Sequence, residues 1–334
     1  MKFWFERGAW VRKKTREKFS SVLPEQIKSI AIIRHAALGD MILIRAFIHE
    51  ARKFFPNARI TLSIVSNYAY GVPEDMVDRV HVAIGSDRRE ATIREQINQA
   101  RALGPHDIVF DLAMTTRSVW LCLLNKFGMK IGYPYRTSQR WLYDAVIFRS
   151  DFEFEAQIML DMLRLLGAKP ALQPDFRIDV KAHQQQGRNI IYFTSASTAD
   201  KCWPKHHFAE LIRKASSSYP DYSHTILNGI ASWEDAADLA EQLSDLDNVH
   251  FQQAMEINET LSYLKAASLL VCNDTGIRNM AISCETPTVG IFFNTVPYRY
   301  WPKYGKHDAV FNENGTVPEV EKVLWAMQGI LTQE

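Results

Sequence analysis

One pattern limits the folds open to this chain more than any other. A series of buried strands alternating with helices starts at residue 27 and starts afresh at residue 189. In the first series IKSIAIIRH (27–35) is a buried strand, and Met41 to Phe55 is a helix ended by Pro56. ARITLSIVS (58–66), RVHVAI (79–84) and HDIVFDLA (106–113) are further strands. EFEAQIMLDMLRLLGAKP (153–170) has the apolar spacing of an amphipathic helix, stopped by Gly167 and Pro170. A polar connector near residues 171–187 follows, and NIIYFTSAS (189–197) is a new first strand. A helix near 205–218, strands at 223–229, 248–252, 267–274 and 286–293, and a closing helix at 317–331 complete the second series. Strand and helix alternating at this spacing predict βαβ units and parallel sheets. The expected fold is α/β, with Rossmann-like domains at 27–175 and 185–334 behind an N-terminal segment, 1–26. Ligands bind such sheets beyond the carboxyl ends of their strands, so two facing domains would hold a cleft between them.

A length of 334 residues suits two domains better than one core. A net charge of +1 provides no global field towards nucleic acid, which is not expected as a partner. Cys122, Cys202, Cys272 and Cys284 are scattered with no C-x-x-C pair or zinc spacing, as suits free thiols in a reducing compartment. There is no signal-peptide pattern and no apolar run long enough to cross a bilayer, so a cytoplasmic location is expected.

The N-terminal segment departs from this neutrality. In MKFWFERGAWVRKKTREKF, Lys2, Arg7, Arg12, Lys13, Lys14, Arg16 and Lys18 face only Glu6 and Glu17, a net +5. Phe3, Trp4, Phe5, Trp10 and Phe19 are interleaved with those charges. Cations mixed with aromatics on a short helix suit an interfacial membrane anchor; they equally suit a helix packed on its own domain with a solvated basic face.

Three clusters carry groups able to do chemistry. In AIIRHAALGDM (31–41), Asp40 stands where a helix begins, and a carboxylate there is stabilised in its ionised form. It is either a helix cap or a reagent. Gly39 permits a tight turn and the close approach of another molecule. In LLVCNDTGIRNMAI (269–282), a strand ends at Asn273, and Asp274, Thr275 and Gly276 turn into a helix. Backbone N–H groups at a helix start form an anion site suited to phosphate, to which Thr275 adds a hydroxyl. In TSASTADKCWPKHHF (194–208), hydroxyls that include Ser197 crowd a strand end, and Lys201 is a point charge suited to phosphate oxygens.

Other signals are weaker. The D-L-D at 245–247 has a spacing used for divalent cations, but it lies between a helix and a strand, where acidic loops are routine. Adjacent His206 and His207 cannot share a helix face as zinc ligands do. The absence of G-x-G-x-x-G, of G-x-x-x-x-G-K-[ST] and of G-x-S-x-G removes support for nicotinamide cofactors, P-loop nucleotides and α/β-hydrolase chemistry.

Taken in order, R-x-x-x-L-G-D (Arg34 to Asp40), D-K-x-W-P (Asp200 to Pro204) and N-D-T-G (Asn273 to Gly276) make the chain resemble the glycosyltransferase family 9 heptosyltransferases from about residue 27 onward. The resemblance implies a GT-B fold, two facing Rossmann-like domains with donor and acceptor meeting in the cleft. It implies inverting transfer of heptose from ADP-heptose to the inner core of lipopolysaccharide, on a lipid A–core acceptor, with no cofactor and no metal. Asp40 matches the family's general base. Lys201, Asp274, Thr275 and Gly276 match positions that hold the donor diphosphate and sugar. Ser197 falls where a hydroxyl contacts phosphate, and Glu234 near an acidic residue that contacts the ribose. The basic segment would then hold the enzyme peripherally on the cytoplasmic face of the inner membrane.

The chain departs from the family pattern at several positions. Ala36 and Ala37 stand where serines are frequent, and Asn279 stands where a histidine is common, so its amide donates to phosphate without charge. Phe293-Asn294-Thr295 replaces a Gly-containing turn. Other readings are a protein O-heptosyltransferase, an epimerase, and a catalytically silent sugar-nucleotide-binding assembly protein.

Overall fold

A computed structural model describes residues 1–134, 140–184 and 188–332. The end of the connector (185–187), which opens the expected second domain, and the closing residues 333–334 lie outside the described residues. The chain divides into two compact units, the first of residues 1–150 and 155–177, the second of 151–154 and 178–334.

The first unit is a seven-stranded sheet. Its strands are β1 (Ala9–Val11), β2 (Ser29–Ile33), β3 (Arg59–Val65), β4 (Arg79–Ala83), β5 (His106–Asp111), β6 (Phe127–Gly132) and β7 (Ala145–Ile147), in the order β1-β7-β6-β5-β2-β3-β4. All pairs are parallel except β1 with β7, where Ala9 stands opposite Ile147 and Val11 opposite Ala145. The helices are α1 (Lys13–Phe19), α2 (Leu38–Phe54), α3 (Ile93–Arg101), α4 (Thr116–Leu124) and α5 (Glu155–Leu165). α2 turns Met41, Leu43, Ile44, Phe47, Ile48 and Ala51 inward, and it packs on α5, whose inward face includes Ala156, Met159 and Leu163. Phe47 meets Phe110 of β5 edge-on at 5.2 Å, fixing α2 against the sheet.

The basic N-terminal segment is built into this unit. Besides the β1–β7 ladder, the Arg12 amide donates to Asp144 O at 2.8 Å and the Trp4 amide to Leu165 O at 2.8 Å. Met1, Phe3, Val11 and Phe19 are buried, while Lys2, Trp4, Arg7, Lys13 and Lys14 are exposed. The short helix the composition suggests is α1; ahead of it Trp10 enters a strand, and Phe3, Trp4 and Phe5 precede that strand.

The second unit is a six-stranded, all-parallel sheet. Its strands are β8 (Arg188–Phe193), β9 (Tyr222–Leu227), β10 (Val249–Gln252), β11 (Leu269–Asn273), β12 (Thr288–Ile291) and β13 (His307–Val310), in the order β10-β9-β8-β11-β12-β13. α6 (Lys205–Ser218), α7 (Ala237–Gln242), α8 (Ile257–Lys265), α9 (Gly276–Ser283) and α10 (Val320–Leu331) join them. Trp203, Phe208, Leu211, Val271, Val323 and Met327 share the main core. Among the described residues no helix is long and apolar enough to cross a membrane.

Apart from the edge strand β1, each sheet is built outward from its middle. From β2 the chain adds β3 and β4 on one side, then β5, β6 and β7 on the other. From β8 it adds β9 and β10, then β11, β12 and β13. The reversals fall between β2 and β5 and between β8 and β11, where helices leave in opposite directions and a crevice opens beyond the strand ends.

Candidate active site

The turn after β2 carries the first cluster. α2 begins at Leu38, earlier than the sequence pattern suggested, and its cap position is Ala37, which makes no side-chain cap bond. Asp40 is the third residue of the helix, so it is not the cap. Its carboxylate still lies in the first turn, where unpaired N–H groups favour an anion. Gly39 is buried beside it.

Asp40 Oδ2 stands 3.5 Å from Nη2 of Arg34. The Arg34 guanidinium is buried, donates through Nη1 to Leu112 O at 3.0 Å, and meets Glu155 Oε1 at 3.1 Å. Glu155, 1% exposed, takes Nη2 of Arg149 on its other oxygen at 2.5 Å. Burial disfavours the charge on Arg34, but Asp40 and Glu155 outweigh it and raise the guanidinium's pKa above its usual value. The Asp40 side chain remains 34% exposed. A fixed cation and a reachable carboxylate thus share one turn. Next to them His35 Nδ1 lies 3.1 Å from Thr115 Oγ1, and burial, aided by Arg117, holds the ring's pKa down to about 3, so it is neutral at pH 7.

In the second unit one buried side chain joins the other two clusters. Asn273, at the end of β11, accepts the Trp203 amide on Oδ1 at 2.9 Å and donates through Nδ2 to Thr194 O at 2.7 Å. The Trp203 indole is buried and donates to Pro318 O at 2.8 Å. This staple ties the β8 turn to the β11 turn and brings Lys201 Nζ to 3.2 Å from Asp274 Oδ2. The pair is only partly sheltered, with side-chain exposures of 26% and 12%. Thr295 Oγ1 donates to the same Asp274 oxygen at 2.8 Å, and Asn294 Nδ2 donates to Asp200.

Thr275 holds the cap position of α9 without making a side-chain cap bond, and Gly276 is the first helical residue. Asn279, one turn further on, is buried, and its amide makes no hydrogen bond among the described residues. Ser197 is exposed in the β8 turn. Glu234 lies in the turn after β9 and accepts the Ala231 amide at 3.1 Å. It folds over Gly229, where any Cβ would collide with its side chain. These residues all follow carboxyl ends of strands in one parallel sheet.

Several residues with a part in these sites escaped the sequence reading. Glu155 and Arg149 complete the charge cluster around Arg34, and their signal was faint: an acid opening a largely apolar α5. Asn294 and Thr295, noted only as departures, contact two of the acids of the second site. Arg278 is fully buried, lies over Phe292 at 5.3 Å, and donates to the carbonyls of Tyr300 and Asp308. It binds the turn after β12 to α9. Gly290 is required beneath it, since a Cβ there would strike the Arg278 side chain. The D-L-D acid Asp245 is taken by Arg213 at 2.6 and 3.1 Å, and no metal-ligating cluster occurs among the described residues.

A family model described as glycosyltransferase family 9 (heptosyltransferase) matches residues 97–326. Among curated proteins, lipopolysaccharide heptosyltransferase 1 of Campylobacter coli is 21% identical over 296 residues, 81% of this chain and 85% of that protein. The protein of the same name from Escherichia coli K12 is 23% identical over 288 residues, 80% of this chain and 88% of that protein. Among solved structures, E. coli heptosyltransferase WaaC with ADP-2-deoxy-2-fluoro heptose has a TM-score of 0.71 at 17% identity, covering 91% of this chain and 99% of that one. The fold is therefore GT-B, with two sheets of largely parallel strands.

Proposed function

Because the chain belongs to glycosyltransferase family 9, we propose that it moves heptose from ADP-heptose to the inner core of lipopolysaccharide with inversion and without a metal. The observation that carries this reading is the pair of sites at the two points of strand reversal. One offers a reachable carboxylate, Asp40, beside a locked arginine. The other gathers Lys201, Asp274, Thr295 and the start of α9.

In this reading Asp40 takes the proton from the acceptor hydroxyl as that oxygen attacks the anomeric carbon. Negative charge then grows on the departing diphosphate. Lys201, held by Asp274 in the free protein, turns to the phosphate oxygens. The N–H groups at Thr275 and Gly276 add the positive end of α9, and Asn279 and Ser197 donate neutral hydrogen bonds. Asp274, released by Lys201, accepts from sugar hydroxyls, and Glu234 accepts from the ribose. The test is direct. Purified protein with ADP-heptose and a deacylated lipid A–core acceptor should form one glycosidic bond, and core oligosaccharide from a deletion strain should lack a heptose by mass spectrometry. An intact core in that strain would end the assignment.

The acceptor is lipid-linked, and the same proposal places the protein peripherally on the cytoplasmic face of the inner membrane. Support comes from the exposed Lys2, Arg7, Lys13 and Lys14 together with exposed Trp4 and, flanking the β1–β7 edge, Trp141 and Phe148. Each basic residue near an anionic leaflet adds ~1 kcal/mol, and the indoles suit the headgroup layer. Since β1 and α1 belong to the fold, the test is by surface charge. Lys13→Glu with Lys14→Glu should weaken cosedimentation with phosphatidylglycerol vesicles while sparing transfer to the water-soluble acceptor. Equal cosedimentation would remove the membrane contact.

A further inference from the structure

Glu155 has no part in the steps above, yet it is among the most buried charges of the molecule. It lies on the far side of Arg34 from Asp40. One guanidinium nitrogen meets Asp40 at 3.5 Å and another meets Glu155 at 3.1 Å. Beyond Glu155 comes Arg149 at 2.5 Å. Four charges of alternating sign therefore run from the α2 turn to the start of α5. We propose that Glu155 is a positioning residue that keeps Asp40 basic by offsetting Arg34. This rests on the reading of Asp40 as the base.

The reason lies in a conflict within the site. A cation 3.5 Å from a carboxylate stabilises the ionised form and makes it a poorer proton acceptor. Arg34 is buried, so little solvent weakens that pull. A base must still want the proton that it is to take. Glu155 resolves the conflict in two ways. Its charge opposes negative charge on Asp40, and its oxygen, with Leu112 O, fixes the plane of the guanidinium. Nη2 then stands in one place, 3.5 Å from Asp40 and making no hydrogen bond among the described residues, so it sets the field at the carboxylate without claiming its lone pairs. Arg149 tempers Glu155 from the other side.

The remaining charged and titratable groups around the site leave this series in control. Tyr133 donates to Ile158 O at 2.8 Å and stays neutral, because burial pushes its pKa well up. Asp161 on α5 pairs with Arg164 at 2.7 Å, and Arg45 on α2 is held by both oxygens of Asp75. His35 is neutral, with Arg117 beyond it.

Two variants that touch neither Asp40 nor substrate test the proposal with opposite signs. Glu155→Gln keeps shape and an acceptor oxygen but loses the charge. The acid limb of kcat/KM, measured with ADP-heptose and the deacylated acceptor, should move down by about half a pH unit or more. Plateau kcat should fall about three- to tenfold, as expected for a weaker base, with KM for ADP-heptose unchanged. Arg149→Met removes a positive charge and leaves Glu155 to Arg34 alone, so the acid limb should move up. Arg149 reaches solvent, and this variant decides the matter even if Glu155→Gln does not fold. Limbs that stay in place, or move the same way in both variants, overturn the proposal, because loss of structure alone does not produce shifts of opposite sign. Asp40→Asn is run alongside. If it is inactive and the two limbs stay in place, only the role of Glu155 falls. If it retains turnover within a few-fold of wild type, the base assignment falls and the proposal falls with it.

Discussion

The two points of strand reversal are built alike and finished differently. In each, a buried central strand ends in a turn, a helix starts without a side-chain cap, and a carboxylate faces a cation. At the β2 turn the cation is locked: Arg34 is buried and shared between Asp40, Glu155 and Leu112 O. At the β11 turn it is loose: Lys201 is partly exposed, and Asp274 already has a second partner in Thr295. A group that must accept a proton from one fixed direction needs a rigid neighbour. A group that must leave its partner for an incoming diphosphate needs one that it can exchange. The difference follows from chemistry, since a planar guanidinium binds two acids in a set geometry and an ammonium does not.

The strongest way to break this comparison is Asp40→Asn. If the rigid site performs the proton transfer, kcat should fall by about 10²–10⁴-fold with the far-ultraviolet circular dichroism preserved. Next comes Lys201→Ala. Loss of a charged hydrogen bond costs roughly 1.5–3 kcal/mol, so KM for ADP-heptose should rise about ten- to a hundredfold, with activity persisting in EDTA. Activity abolished by chelator and restored by magnesium would instead return attention to Asp245 and Asp247. A smaller effect should come from Thr295→Val, which removes one of two partners of Asp274. The site should reorganise, and KM should change only about two- to fivefold. A change as large as that of Lys201→Ala would show that the second site is as rigid as the first.

The smallest effect is one on which the two units should agree. Each holds a half-buried histidine, His35 beside the Asp40 turn and His307 at the start of β13, and desolvation holds both pKa values down to about 3. An unfolded histidine titrates near 6.5, so below that pH the unfolded chain binds protons that the folded chain refuses. Stability is therefore full above about pH 6.5 and falls as the pH drops from there towards 3. The melting temperature should decline steadily between pH 7 and pH 5, and His35→Gln or His307→Gln should flatten part of the slope. A slope unchanged in both variants would place the acid sensitivity elsewhere.

How much of this was legible depended on distance along the chain. Asp40 and Asp274 stand beside a glycine at a helix start, and Lys201 follows a run of hydroxyls at a strand end, signals that each lie within a few residues. The ties that give them their surroundings are long-range, Arg34 with Glu155 and Trp203 with Asn273, and no spacing announces them. Strands followed the same rule. β2, β5, β8 and β11 are continuous apolar runs and were found within a few residues. β1 and β7 have only three residues, too few for a period to show, and β13 (HDAV) opens on two polar residues. β6 was hidden by its own glycines. A Cβ at Gly128 would lie 2.6 Å from Asp107 O, and one at Gly132 2.5 Å from the Tyr143 ring. Close packing demanded there the residue that, in a sequence, signals a loop.

The antiparallel edge strand has a consequence for how the protein is made. β1 leaves the ribosome long before its partner β7, which begins at Ala145. At about 5–20 residues per second, roughly seven to twenty-seven seconds of synthesis separate the two. During that interval Trp10 and Val11 have no ladder partner, and the segment holding them carries the densest positive charge of the chain. Such a charge disfavours pairing with the same segment of a neighbouring nascent chain, the hazard of an unpaired strand. The basic N-terminus thus guards a waiting edge in youth, whatever surface it meets once the sheet has closed.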